Sequence, residues 1–391
     1  MTQIYIIRHA EAEGNLYRRL HGQYDSLVTE TGKAQIAALR RRFERVPVDA
    51  CYASDLIRTR MTAQAVCGPK HLKLQPDPRF REIRMGVWED VPFGEVAERE
   101  KYLLDRFNED PAHWYVSGAE RYEAYTERFL DAMTEAAEAH AGQTIAIFSH
   151  GSVIRGVLMR LFYGADHPEQ TGHCDNTGVT LLEYEAGQYQ LVYKNDNSHL
   201  PEEISTLAKQ SWWRQDGKTV DHNLWYRPVG EDAETYLQFR QEAWHSIYGN
   251  LDGYQPAAFW CDAKRCAEER AEAVAFAMLG EQIVGLVQLD LERKAAQRAG
   301  YISFYYMRPA YQNLGLGVQM LGHCISICRP MGRTGLQLSV SPRNTRALRF
   351  YSRYGFGAIG KTAGAHGDLT LMEKSIDRSP YLRPAQQTSL D

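Results

Sequence analysis

Ile4-Tyr5-Ile6-Ile7-Arg8-His9-Ala10-Glu11-Ala12-Glu13-Gly14-Asn15 lies at the start of the chain and decides how its first half must fold. Four apolar residues in a row, without an alternating polar partner, read as a strand buried on both faces, the pattern of a parallel sheet flanked by helices. The run stops at Arg8-His9. A guanidinium and an imidazole therefore stand at the carboxyl end of that strand, where open α/β sheets hold their ligands.

The next segments repeat the arrangement. Thr29 is the expected cap of a helix reaching about Phe43, with Ile36, Leu39 and Phe43 on one face. A second strand, Val48 to Ala53, runs into Ser54-Asp55-Leu56-Ile57-Arg58, where Ser54 is the expected helix cap and Arg58 stands about one turn inside. A third strand near Leu72 to Gln75 precedes Arg81-Glu82-Ile83-Arg84-Met85-Gly86-Val87-Trp88-Glu89, a loop that sets a carboxylate between arginines. A helix from Glu120 to His140, stopped by Gly142, leads to the strand Thr144 to Phe148 and then to Ser149-His150-Gly151-Ser152. Asp175 to Gly178 open a late strand, Val179 to Tyr184. This order predicts a mostly parallel sheet with Arg8, His9, Arg58 and His150 gathered above one edge.

The series Arg-His-x-Glu, Ser-Asp-Leu-x-Arg, Glu-x-x-x-Gly-x-Trp-Glu and Ser-His-Gly resembles the histidine phosphatase superfamily across about residues 1–200. The resemblance implies an α/β domain of three layers, phosphoglycerate-mutase-like, working without a metal. The chemistry explains the residue types: a transferring phosphoryl group spreads charge over three oxygens and needs fixed donors around them. Arg8 and Arg58 offer planar forks, Asn15 an amide and His150 an imidazolium at the start of its helix, protonated once the substrate dianion is bound. His9 is then the nucleophile, its pKa lowered by two guanidinium groups so that the free base attacks phosphorus. Glu82 is the carboxyl that the family pattern assigns to protonating the leaving oxygen, with Glu11 and Glu89 expected to orient arginines or cap helices. Ala10 and Ala12 stand where the family often has Gly and Ser, which removes at most one phosphate contact. The modest spacer from Glu82 to His150 favours hydrolysis over a phosphoglycerate-type mutase, whose long inserted segments shield phosphohistidine from water.

At 391 residues the chain exceeds one ordinary core, and 44% hydrophobic residues suffice for two. Acidic residues outnumber basic ones 29 to 23 in residues 1–200 and fall short 20 to 22 in the rest, so neither half has the basic excess that nucleic-acid binding requires. The N-terminus enters a strand without a charged leader, and no run of about 18 apolar residues occurs, so a cytoplasmic location and no membrane partner are expected. Seven scattered cysteines suit reduced, packed thiols better than disulfides or a zinc site, Cys261/Cys266 and Cys324/Cys328 included. A homodimer is allowed.

Residues 206–224 lack a period and read as a connector, which gives a first domain over 1–207, a connector over 208–224, a second domain over 225–376 and a polar tail over 377–391. In the second domain a helix over Asp232–Ser246 and a polar, helix-prone stretch precede strands near Ala273–Met278, Ile283–Leu291 and Tyr301–Met307, the first two joined by a turn at Leu279-Gly280-Glu281-Gln282. Antiparallel strands feeding a helix predict a mixed α+β sheet. Met307-Arg308-Pro309-Ala310-Tyr311-Gln312-Asn313-Leu314-Gly315-Leu316-Gly317 then enters an amphipathic helix carrying Met320, Leu321 and Cys324. Glycines at a helix mouth let several N–H groups face one concavity that suits a pyrophosphate.

With the strand Leu336–Val340 and the helix Asn344–Phe356, this stretch resembles the GNAT acetyltransferases over residues 225–376. The resemblance implies acetyl transfer from acetyl-CoA to a small amine. Gln312, Asn313, Leu314, Gly315, Leu316 and Gly317 would hold the cofactor's pyrophosphate, Asn344 its pantetheine arm, and Met307 the strand end where the thioester docks. Tyr351 would protonate the departing thiolate, with Phe350 expected to fill the core instead. Asp290, Glu292 and Glu373 are general-base candidates by residue type alone. The sequence thus reads as a bifunctional enzyme acting on a small phosphorylated metabolite and an amine. The competing class is a binding protein that senses a phosphorylated ligand and acetyl-CoA.

Overall fold

The opening run forms β1 (Thr2–Arg8), near the middle of the first of two sheets in a computed structural model that describes residues 1–210, 222–364 and 367–382. The chain divides into two units, Met1–Val91 with Arg99–Asp221 and Pro92–Glu98 with His222–Asp391. Most of the expected connector and tail lies outside the described residues.

In the first unit, β1 is followed by α1 (Glu13–Tyr17), α2 (Glu30–Arg42), β2 (Ala50–Ala53), α3 (Ile57–Cys67) and β3 (Leu74–Pro76). The chain continues through α4 (Phe93–Arg99), which belongs to the second unit up to Glu98, and then in the first unit through α5 (Lys101–Glu109), α6 (Tyr122–Ala139), β4 (Thr144–Ser149), α7 (Gly151–Leu158), β5 (Val179–Glu185) and β6 (Gln188–Asp196). The strand order is β3-β2-β4-β1-β5-β6. The pairs β3–β2, β2–β4 and β4–β1 are parallel, while β5 and β6 add antiparallel. Ile4, Ile6 and Ile7 are at most 1% exposed, as a strand covered on both faces requires. Each such side chain contributes about 1.5–3 kcal/mol of burial. Ile7 packs with Leu39, Phe43, Ala63, Val66 and Phe148 between sheet and helices. Thr29 caps α2 as expected, its hydroxyl accepting the Gly32 N–H. Ser54 does not cap α3. Its hydroxyl accepts the Leu56 N–H at 3.3 Å, Leu56 is the residue before the helix, and Arg58 is the second helical residue rather than one turn in. The Ser54 N–H still bonds to Phe148 O of β4, so Ser54 belongs to the sheet edge and the helix begins after it.

The second unit contains β7 (Trp225–Pro228), α8 (Ala233–Tyr248), α9 (Pro256–Glu269), β8 (Val274–Leu279), β9 (Gln282–Asp290), β10 (Ala299–Met307), α10 (Leu316–Cys328), β11 (Gly335–Val340), α11 (Thr345–Arg353), β12 (Gly357–Gly364) and β13 (Gly367–Ser375). The sheet order is β12-β13-β11-β10-β9-β8-β7, with β10–β11 the one parallel pair among the strands described. Two expectations need correction here. Helix α10 is buried on nearly every side, from Leu316 through Cys328, and is not amphipathic. Of the cysteines expected to pack, Cys266, Cys324 and Cys328 are buried but Cys261 is exposed.

The parallel pairing of β10 with β11 stops at Ile302 and Leu338. Beyond it β10 stays paired to β9 as far as Met307, and β11 to β13 as far as Val340. The two strands therefore part in mid-sheet. The Arg308 N–H bonds to Val284 O of β9, so strand alternation turns the N–H groups of Met307 and Tyr305 toward the edge that β11 leaves bare.

Candidate active sites

The parallel register brings the first site together. Arg8 lies opposite Ser149, and Ala53 opposite Phe148, so the loops after β1, β2 and β4 leave one edge side by side. The His9 and His150 rings are 5.2 Å apart, and both residues are buried. His9 Nδ1 is 2.7 Å from Ala10 O, which fixes Nδ1 as the donor and leaves Nε2 as the free lone pair. Burial first, then the Arg58 and Arg8 guanidinium groups, hold the His9 pKa well below the usual imidazole range. The neutral ring read from sequence thus has burial as its leading cause and cationic neighbours as the second.

Arg58 is fully buried yet charged, burial pulling its pKa down to about 10. It donates to Tyr24 O at 2.9 Å, to Gly22 O at 2.8 Å and through Nε to His150 Nδ1 at 3.2 Å. The last bond bears on His150. With Nδ1 accepting from a cation, and with burial and Arg58 lowering its pKa, the ring by itself is a neutral donor at Nε2, so its expected protonated form depends on the charge that a bound dianion brings. Nε2 of His150 is buried without a partner among the described residues, as is Nε of Arg8. Arg8 is held through Nη1 by Cys174 O. A Cβ on Gly151 would lie 3.2 Å from Arg8 Nε, so the glycine of Ser-His-Gly makes room for that guanidinium.

Glu82 joins the site from its own loop. Its oxygens accept the Ser152 and Val153 N–H groups, at 3.1 and 2.8 Å, and the Ile83 N–H at 3.1 Å. It therefore sits on the first turn of α7, directly after His150. Asn15 is on α1, its Oδ1 accepting the Ala12 N–H at 3.1 Å while Nδ2 makes no hydrogen bond among the described residues. The hydrogen bonds of Glu11 and Glu89 run to hydroxyls and loop backbone rather than to arginines or helix termini. Glu11 accepts from Thr29 and Thr206 hydroxyls, and Glu89 from the Gln23 and Met85 N–H groups.

Two features escape a motif reading. His21 stacks edge-on to His9 at 6.0 Å, and its Nε2 accepts from the Gly14 N–H and faces the Ser26 hydroxyl. The Leu20-His21-Gly22 context, a histidine beside glycine between two motifs, was the only available sign. Asp175, buried and accepting from Asn176, Asn197, Ser205, Thr206 and Leu207, anchors the loop whose Asn176 amide and Thr177 N–H clasp the His9 carbonyl.

In the second unit, Asn313 (φ 67°) and Gly315 (φ 75°) adopt left-handed backbone on either side of Leu314, and no side chain caps α10. That alternation and the uncapped first turn present a row of N–H groups, which fits the pyrophosphate of acetyl-CoA. A Cβ on Gly315 would meet nothing within 4 Å, so glycine is needed there for its φ and not for space. Gln312 Nε2 donates to Met307 O at 2.6 Å and ties the loop to the bare strand end. Leu314 is exposed and Leu316 buried. Asn344 spends its side-chain oxygen capping α11 at Ala347 N, and Arg346 reaches Asn313 from the same turn. Tyr351, not Phe350, is the buried residue of α11. It packs on Tyr305 and Phe356, and burial pushes its phenol pKa up. Phe350 instead lies half-buried over Gly317.

The three general-base candidates are already engaged. Asp290 is held by Arg265 at 2.6 Å, the exposed Glu292 faces the same arginine, and Glu373 accepts from Gln337. Asp262, Cys266 and Asp290 have potential metal-ligand atoms within 4.8 Å of one another. Arg265 and Gln288 already donate into that group.

Fold and sites together define two enzyme domains on one polypeptide. Residues 4–197 match the histidine phosphatase superfamily (branch 1) and residues 234–356 the acetyltransferase (GNAT) family, so the chain carries one domain of each kind. The first half is 29% identical over 203 residues to phosphoserine phosphatase 1 of Hydrogenobacter thermophilus, covering 52% of this chain and 96% of that protein. It is 27% identical over 205 residues to a probable phosphoglycerate mutase GpmB of Yersinia pestis, covering 51% and 95%. Among solved structures, Bacillus stearothermophilus YhfR aligns at 30% identity and a TM-score of 0.49, covering 51% of this chain and 99% of that one. No helix among the described residues is long and apolar enough to cross a membrane.

Proposed function

We propose that the first half hydrolyses phosphate monoesters through a phosphohistidine at His9, and that the second half transfers an acetyl group to a small amine. The observation that carries the first reading is the pair of buried, unpartnered donors, Arg8 Nε and His150 Nε2, beside a histidine whose Nε2 lone pair is free. Donors left unpaired in a buried site are costly unless a ligand takes them up, and a phosphoryl group does so with its equatorial oxygens. His9 Nε2 forms the bond to phosphorus as the ester oxygen departs. The Arg8 and Arg58 guanidinium groups neutralise the developing charge, and Asn15 and His150 donate hydrogen bonds to it. Glu82, next to His150 at the head of α7, gives the leaving oxygen its proton. Its carboxylate then takes a proton from the water that cleaves the P–N bond and releases inorganic phosphate. To do so Glu82 must exchange at least one of its backbone N–H partners for substrate.

The phosphoserine phosphatase among the relatives makes O-phosphoserine, a small phosphate ester with an amine, the first substrate to try. The mutase relatives make 3-phosphoglycerate the second, with isomerisation against phosphate release as the readout. Release of nitrophenol from p-nitrophenyl phosphate should be measured for the wild type and His9→Ala. Activity surviving the substitution would remove the nucleophile assignment.

In the second half, acetyl-CoA supplies an activated acetyl thioester. The N–H groups from Gln312 to Gly317 bind its pyrophosphate, the Asn344 amide its pantetheine arm, and the Met307 N–H faces the gap where β10 and β11 part. Tyr351 holds the proton on its phenol oxygen that the departing thiolate needs. Calorimetry with acetyl-CoA tests the loop assignment. Binding without turnover across an amine panel would favour a sensor over an enzyme.

A further inference from the structure

Strand β10 is the fourth of seven in its sheet, and mid-sheet residues are normally covered on both faces. Its neighbour β9 obeys this, with Val284 through Asp290 all buried. Ser303 through Tyr306 of β10 do not: all four are half-exposed, beginning one residue past the point where β11 departs. The gap is therefore open on both faces. Tyr305 turns toward Tyr351 and Phe350 on the side of α10 and α11, whereas Phe304 and Tyr306 face the cluster under α8 and α9. The acetyl-CoA loop occupies the first side. An acceptor must then approach from the second.

What lies on that second side is Arg240 of α8. Its guanidinium carbon is 4.2 Å from the Phe304 ring centroid, 4.0 Å from that of Phe259 and 6.0 Å from that of Tyr236. It makes no hydrogen bond or ion pair among the described residues. Other arginines near it are satisfied: Arg308 pairs with Glu242 at 3.1 Å and Arg265 with Asp290. Aromatic faces hold a guanidinium in place but offer none of its N–H groups an in-plane acceptor. A half-buried cation placed in this way, against the one strand segment open to the gap, has its planar donor fork free for an oxyanion.

We propose that Arg240 recognises an anionic group, a carboxylate or a phosphate-type oxyanion, on the amine that the second half acetylates. This rests on the acetyl-transfer reading of that half. It adds what that reading leaves open: the charge of the acceptor and the residue that selects it.

The test uses the full chain and three matched series of primary amines with two to six carbons: ω-amino acids, aminoalkylphosphonates and uncharged n-alkylamines. Phosphonates replace phosphate esters because the first half has no ester bond to cleave in them. Coenzyme A release is followed for the wild type, Arg240→Met, which keeps the stem on the rings, and Arg240→Lys. At least one anionic series should exceed its uncharged partners in kcat/KM by about tenfold or more, the worth of one charge-assisted contact. Whichever of the two anionic series responds identifies the oxyanion. Arg240→Met should abolish that preference by raising KM for the anionic amines, with their kcat and the KM of acetyl-CoA unchanged, and Arg240→Lys should recover part of it. A preference for uncharged amines, or equal loss on both kinds of acceptor, overturns the proposal. Calorimetric titration of the ω-amino acids and phosphonates, with and without coenzyme A, separates the two claims. If acetyl-CoA fails to bind, the acetyl-transfer reading falls. If acetyl-CoA binds but no anion is held more tightly by the wild type than by Arg240→Met, the role of Arg240 falls alone.

Discussion

Replacing Gly151 by alanine should raise or preserve stability while lowering phosphatase activity. Gly151 is the first residue of α7 and has no left-handed backbone to defend, so alanine there restricts the unfolded chain and favours the helix by roughly 0.4–1 kcal/mol. The added methyl, however, would stand 3.2 Å from Arg8 Nε, 3.4 Å from Cζ and 3.6 Å from Cδ. The guanidinium cannot simply swing away, because Nη1 is held by Cys174 O. It must shift by a few tenths of an ångström, and the atom pressed hardest is Nε, the donor with no partner among the described residues. Deleting an oxyanion donor outright costs about a hundredfold or more in rate, and misplacement by about 1 Å reaches a similar loss. A shift of tenths of an ångström should therefore lower kcat/KM by roughly tenfold. The assay is p-nitrophenyl phosphate turnover beside thermal unfolding of the same preparation. Unchanged kcat/KM would refute the placement of Arg8 Nε on the substrate. A fall in Tm that accompanies the loss of activity would refute the claim that the methyl acts only on the guanidinium.

Four further outcomes follow from the geometry. The active form of His9 is the free base, and burial and two guanidinium groups lower its pKa. The acid limb of kcat/KM should thus lie well below the usual imidazole value of about 6.5, and a limb near that value would show His9 to be solvated or uncoupled from Arg58. Stability has the same sign: His199, lowered to about 4 chiefly by burial and then by Arg42, stays neutral in the fold while the unfolded chain takes up a proton. Its contribution is full above about 6.5 and lost as pH falls toward 4, so Tm should drop across that window, and less steeply in His199→Asn. Asp175→Asn turns an amide N–H₂ toward donors from Ser205 and Asn197 or from the Thr206 and Leu207 backbone. It should cost about 2–3 kcal/mol in chemical denaturation, and a loss under 0.5 kcal/mol would mean that the loop under His9 repacks at no cost. Tyr351→Phe should leave acetyl-CoA binding intact and lower acetyl-transfer kcat by about a hundredfold. An unchanged kcat would make Tyr351 a packing residue.

Much of the scaffold was legible because its signals are local. The unbroken run Ile4–Ile7 could only be covered on both faces, and the helix cap at Thr29 and the turn at Gly280 follow from side-chain size and backbone φ. Strands β6, β7, β12 and β13 were not foreseen. Gly357–Gly364 is exposed along most of its length and bears no apolar pattern, whereas Gln188–Asp196 carries the alternation of a half-buried strand at Tyr189, Leu191 and Tyr193, which a search for continuous apolar runs passes over. They form because a partner strand already presents free N–H and C=O groups. Helix α10 misled in the opposite direction: Gln319 and His323 look like a polar face, but Gln319 accepts the Leu224 N–H and donates to His222 O, and His323 bonds to Glu272 O.

From its sequence alone this protein has its two family resemblances, the strand–helix alternation of its first half and the motif residues His9, Arg8, Arg58, Glu82 and His150 as candidates, since residue type and spacing along the chain carry that information. Only the tertiary structure decided which nitrogen of His9 and His150 holds a proton, that Glu82 lies on the first turn of α7, that Tyr351 rather than Phe350 is buried, and that Arg240 stands unpaired among the described residues beside an open strand. Those properties depend on which groups from distant segments come within hydrogen-bonding distance, and on how much water is left between them, and neither is a function of local sequence.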